Sequence, residues 1–123
     1  NIAFNTSSLI NDFLKCFELS KGTWKAGYNL KCKLDEINEK KFLPLISIMT
    51  KTGMACIIST RQYDILIKNN YAVSKEELEF INIDMENIDD NSNYYLIIRN
   101  RAENFLREKM RFKFNIETGD GRQ

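Results

Sequence analysis

Ser59-x-x-Gln62 is the stretch that most narrows what this chain can fold into. It fits a capping box, in which a Ser hydroxyl accepts from the amide three residues on and the Gln side chain reaches back. Tyr63, Leu66, Ile67 and Tyr71 then recur at helical spacing, and Asn69-Asn70 supplies residues that tolerate a left-handed stop. A helix over 60–69 follows. Met54 to Ile58, just before it, is apolar on both faces, as a buried strand is.

Strand patterns dominate the remainder. From Gly27 to Leu34 the chain alternates, with Tyr28, Leu30, Cys32 and Leu34 on one face and Asn29, Lys31 and Lys33 on the other. Phe42 to Thr50 is apolar on both faces and is expected as a central strand. Pro44 must then sit at its start or at a bulge, because proline cannot donate to a ladder. Thr52-Gly53 reads as the turn joining this strand to 54–58 in a β-hairpin. Tyr94 to Ile98 is aliphatic and aromatic, a further buried strand. Leu106, Met110, Phe112, Phe114 and Ile116 alternate with Arg107, Lys109, Arg111, Lys113 and Asn115. That predicts a long strand with one basic face. Glu108 is the misfit on its apolar side, and 101–108 alone also fits a helix.

Residues 6–17 fit a helix capped at Ser7 or Ser8, with Leu9, Ile10, Phe13, Leu14 and Phe17 as its apolar stripe. Residues 74–90 stay open between helix and strand. The sum is an α+β fold, a curved antiparallel β-sheet packed with one or two helices. The 123 residues suit one domain, placed at 1–117, with 118–123 as a flexible tail.

Composition removes several chemistries. With no histidine, Ser-His-Asp and Cys-His catalysis and His-ligated zinc are excluded. Three cysteines exclude a four-cysteine zinc site within one chain. Cys16, Cys32 and Cys56 have no motif spacing and read as reduced, partly buried thiols of an intracellular protein, nuclear or cytoplasmic. No apolar run is long enough to cross a membrane, and no signal-peptide pattern is visible. A first residue of Asn1 suggests an excised domain or a processed chain. P-loop, Gly-x-Gly-x-x-Gly and Gly-x-Ser-x-Gly motifs are absent. No catalytic residues, cofactor or metal are expected, and the chain is read as not an enzyme.

A net charge of +1 conceals segregation. Lys21, Lys25, Lys31 and Lys33 form a stretch without an acidic residue, with Trp24 and Tyr28 among them. Arg99, Arg101, Arg107, Lys109, Arg111 and Lys113 make a second basic stretch. Cations about 6–7 Å apart along a strand can track a phosphate backbone, and interleaved aromatics can stack bases. The bland alternative is a solvated, lysine-rich sheet face that discourages edge pairing. Glu76, Glu77, Glu79, Asp84, Glu86, Asp89 and Asp90 form an acidic segment, which suits a solvated face or a basic partner surface better than a metal site.

The stretch Ile58 to Ile67 resembles the helix start of the positive-cofactor-four-like transcriptional coactivators: an aliphatic residue, a Ser/Thr cap, Gln three residues on, an aromatic, then aliphatics. Upstream, a Lys-bearing strand (29–33), an apolar strand (42–50), a Gly turn (Gly53) and a short strand (54–58) stand in the family's order, and Phe17-Glu18-Leu19 stands where its first strand would. The resemblance covers roughly residues 17–70. It implies a four-stranded curved sheet with a helix, dimerisation, and binding of single-stranded or melted DNA on the sheet. Lys25, Lys31 and Lys33 would contact the backbone, with Trp24 or Tyr28 stacking on bases. Tyr63, Leu66 and Ile67 would pack the helix or the dimer. The expectation is therefore a dimeric, non-enzymatic nucleic-acid-binding module. The alternative is a protein-interaction or oligomerisation domain of viral or mobile-element origin.

Overall fold

Tyr94 to Arg99 organises the molecule, because neighbouring strands pair with both of its edges. The computed structural model describes residues 2–20, 27–73 and 91–118, with side chains described over 6–20, 27–73 and 92–110. In chain order the elements are α1 (Ile2–Leu14), β1 (Glu18–Leu19), β2 (Tyr28–Lys33), α2 (Leu34–Ile37), a 3-10 turn (Lys40–Phe42) and α3 (Leu43–Lys51). Then come β3 (Ala55–Ser59), α4 (Thr60–Lys68), a second 3-10 turn (Asn91–Asn93), β4 (Tyr94–Arg99) and α5 (Ala102–Thr118). The four strands form one antiparallel sheet in the order β1-β2-β4-β3. Both β2 and β3 run against β4, so they are parallel to each other, and α2 and α3 carry the chain across between them. The fold is α+β, with an open sheet.

The sheet is covered on both faces. Leu96, Ile98, Ala55, Ile57 and Cys32 share one core with Ile10 and Phe13 of α1, Leu45, Ile46 and Met49 of α3, and Ala102 and Leu106 of α5. Ile97, Ile58 and Tyr28 share a second core with Tyr63 and Leu66 of α4 and with Tyr71. Alternation along β4 thus feeds two cores, which is why Tyr94 to Ile98 reads as a continuous apolar run. Phe13 is fully buried and meets Phe17 and Phe42 edge-on at 5.2 and 5.3 Å between ring centroids.

The Ser59 cap forms: its hydroxyl accepts from the Gln62 amide at 3.1 Å. The reciprocal half does not, since Gln62 Oε1 has no hydrogen-bond partner among the described residues. Asn70 takes the left-handed conformation at φ 54° and ends α4, and Tyr71 follows it at φ 61°. Tyr71 holds that position by donating its amide to Leu66 O (2.7 Å) and its hydroxyl to the Tyr63 hydroxyl (3.2 Å).

Four expectations need correction. Phe42 to Thr50 is not a strand but a 3-10 turn running into α3, so there is no hairpin with 54–58. Pro44 lies in the first helical turn, where its missing N–H costs nothing. A short helix with Leu45, Ile46 and Met49 fully in the core looks the same as a buried strand in sequence. The apolar strand implied by the resemblance is that helix.

Second, 106–116 is not a basic-faced strand but part of α5. Glu103 and Arg107 pair at i,i+4, and Leu106 and Met110 recur at the same helical interval. Third, α1 begins before Ser7 and Ser8, which lie inside it as exposed residues rather than caps, and it ends at Leu14, leaving Phe17 to approach β1. Fourth, helix outweighs strand, with four helices packed on one sheet face and α4 on the other. The open question at 74–90, the acidic segment within it, and the tail beyond Thr118 lie outside the described residues.

Candidate functional site

The basic strand β2 is the natural place to build from. Its register against β4 pairs Tyr28 with Arg99 but Leu30 with Ile98, so Asn29 is an extra residue, a β-bulge. The bulge turns Tyr28 over. Leu30 and Cys32 face the larger core, whereas Tyr28 faces the α4 side together with Lys31. Simple alternation had placed Tyr28 with Leu30 and Cys32.

Tyr28 is almost fully buried there. Its hydroxyl donates to Gly53 O at 2.8 Å, and Arg99 Nε donates to the same carbonyl at 3.0 Å. The Arg99 guanidinium also lies 4.5 Å from the Tyr28 ring centroid. Gly53 makes the turn at φ 80°, a conformation favouring glycine. The cluster clamps the α3–β3 turn against the ends of β2 and β4. Burial pushes the Tyr28 phenol up, with Cys56 adding to it and Arg99 opposing.

Lys31 is drawn inward as well. Its Nζ lies 5.2 Å from the Tyr63 ring centroid and 5.4 Å from that of Tyr95, and it pairs with Glu18 Oε1 at 2.8 Å. Burial pulls the ammonium down, but hydrogen bonding and charge from Glu18 outweigh it, and the Lys31 pKa ends above its ordinary value. The same bond and charge hold Glu18 below the usual carboxylate range. This lysine spends its charge on the partner strand and on two rings. Lys33, two residues on, is exposed.

The remaining residues expected to act together are dispersed. Trp24 and Lys25 lie outside the described residues. Arg107 straps α5 to α1: its Nη2 donates to Asn11 Oδ1 at 2.6 Å and its Nε to Glu103 Oε2 at 3.1 Å. Lys109 is exposed and lies 5.8 Å from the Phe105 centroid. Arg111 and Lys113 belong to α5, and their side chains lie outside the described residues. A helix turns about 100° per residue, so alternate positions do not share its face. Tyr63 and Leu66 pack α4 onto the sheet, with Ile67 at the margin of that core.

Two features do not follow from the residue pattern, although the resemblance implies a first strand at Phe17-Glu18-Leu19, where β1 lies. The first is the edge strand β1. Ser20 N donates to Asn29 O at 2.9 Å, and the register sets Leu19 opposite Leu30. In an antiparallel pair, hydrogen-bonded and non-hydrogen-bonded positions alternate. Leu19 is therefore a non-hydrogen-bonded position, and its backbone N–H and C=O point away from β2. Its side chain is the most exposed large apolar group among the described residues, at 72%. The second is a cavity of about 210 Å³ beside it, lined by Cys16, Glu18, Lys31, Cys32, Lys33, Glu36 and Tyr95. Its signal in the sequence was only that Glu18 and Lys31 are of opposite charge.

Comparison with known protein families, curated proteins and solved structures yields no match. Among the described residues no group of three or more His, Cys, Asp or Glu is placed to hold a metal ion. No described helix is long and apolar enough to cross a membrane.

Proposed function

We propose that this chain is a non-catalytic interaction module that self-associates through the outer edge of β1, which no strand among the described residues pairs. The observation that carries this reading is Leu19, exposed at 72% on the terminal strand of the sheet. A single exposed leucine is ordinary on a protein surface. This one stands where the backbone N–H and C=O of the same residue also face outward, so an incoming strand would gain main-chain hydrogen bonds and an apolar contact together. A second copy turned about a two-fold axis would bring β1 antiparallel to β1, with Leu19 near Leu19, the self-complementary arrangement of an isologous dimer. The groups that titrate away from their ordinary values also fit a binding role. Burial raises Cys16, Tyr28, Cys32 and Tyr63, which moves all four away from acid–base work near neutrality.

Sedimentation equilibrium tests this reading. A dimer is expected for the wild type, and a monomer of unchanged circular dichroism for Leu19→Glu. A wild type that stays monomeric at millimolar concentration would contradict it. Single-stranded DNA binding is the second reading, favoured by Lys33, which is exposed where Lys31 is not. It predicts that a labelled oligonucleotide binds at low ionic strength, weakens steeply with salt, and loses affinity in Lys33→Glu.

A further inference from the structure

We propose that Cys16 and Cys32 close a reversible intramolecular disulfide, joining the end of α1 to β2 when a small disulfide such as oxidised glutathione is present. The inference stands apart from the self-association reading, because both cysteines line the cavity beside Glu18 and Lys31, whereas self-association uses the outer edge of β1. Cys16 follows α1 by two residues and precedes β1 by two. The β1–β2 register sets Glu18 opposite Lys31. Cys32 directly follows Lys31, and Cys16 precedes Glu18 by two residues, so this pairing brings the two chain segments that carry the thiols together.

Two further observations agree. Both cysteines line the same cavity of about 210 Å³. The Cys16 thiol also acts electrostatically on Cys32, ahead of Glu36, whose Oε1 lies 3.9 Å from the Cys32 sulfur. Both thiols are free, and Cys56 belongs to the core on the opposite sheet face. Cys16 is the more accessible of the pair, and its Sγ–H donates to Asp12 O at 3.5 Å.

The exchange balances in two steps. Cys16 loses its proton to solvent and attacks one sulfur of the small disulfide, releasing one thiolate and leaving a mixed disulfide. Cys32 then loses its proton and attacks the Cys16 sulfur, releasing the second thiolate. Two protein thiols are oxidised, one small disulfide is reduced to two thiols, and the two protons end on the released thiolates. Burial raises both protein thiols, which lowers the thiolate fraction and slows the exchange.

The test is to incubate the full chain with oxidised glutathione, alkylate, digest and read the fragments by mass spectrometry. The expected result is a loss of two hydrogens, a fragment pair joining Cys16 to Cys32, an alkylated Cys56, and full reversal by dithiothreitol. Cys56→Ser should give the same cross-link, and Cys16→Ser, at a partly exposed position, should give none. A stable glutathione adduct without an internal bond, a bond to Cys56, cross-links only between chains, or no reaction would each overturn the proposal.

Discussion

The Cys32 thiol is displaced far above its ordinary value, and the causes lie beside it. Burial first, then the Cys16 thiol and the Glu36 carboxylate, push it up to about 12 from 9.0. The native state therefore holds this proton more tightly than the unfolded chain does. Stability linked to it is complete below about pH 9 and is lost as the pH rises toward 12. Tyr28 and Tyr63, also raised by burial, extend the loss above pH 10.0. The urea midpoint should fall steadily from about pH 9 upward, and Cys32→Ala should flatten the first part of that fall. An unchanged slope in the variant would assign the loss to other groups. Nothing adjacent in sequence announces this environment. Glu36 is four residues away, but Cys16 reaches Cys32 only once β1 has paired with β2. Lys31 and Tyr28 behave alike: their partners, Glu18 and the Gly53 carbonyl, come from other segments, so a wet-face lysine and a base-stacking tyrosine in the sequence become internal contacts in the fold.

At the scale of elements, the best local signal produced the best-anticipated structure. Ser59 caps α4 through the Gln62 amide. Ser59→Ala should cost about 1 kcal/mol, read as a lower urea midpoint at unchanged slope; an unshifted midpoint would mean that the bond contributes nothing. The helix was legible because cap, period and left-handed stop all lie within 59–70. β4 was legible because its residues are buried on both faces. α3 was not, because apolar residues stand on its outer side (Pro44, Ile48) as well as its buried side (Leu45, Ile46, Met49), which blurs the helical period, and Pro44 suits a first helical turn as well as a strand start. In α5, charges at every second residue imitated a strand. Glu108, the one residue that broke the alternation, was the sign of the helix. The Asn29 bulge had no signal at all, since a bulge is defined by two strands and not by one.

For the molecule as a whole, two helical layers enclose a four-stranded sheet, and the register of β1 decides what remains outside. The strand is short, which limits unwanted edge pairing, yet it offers a backbone amide, a carbonyl and an apolar side chain at one residue. The candidate site was therefore not legible: the sequence drew attention to clustered cations, whereas the structure draws attention to a strand of two residues. The most direct measurement is amide hydrogen exchange at Leu19 as a function of protein concentration. If β1 pairs with β1, the Leu19 amide should exchange rapidly in dilute solution and gain protection as the dimer forms, while the buried amides of β4 stay unchanged. Leu19 exchange that is independent of concentration across the range in which the chain associates would contradict the account.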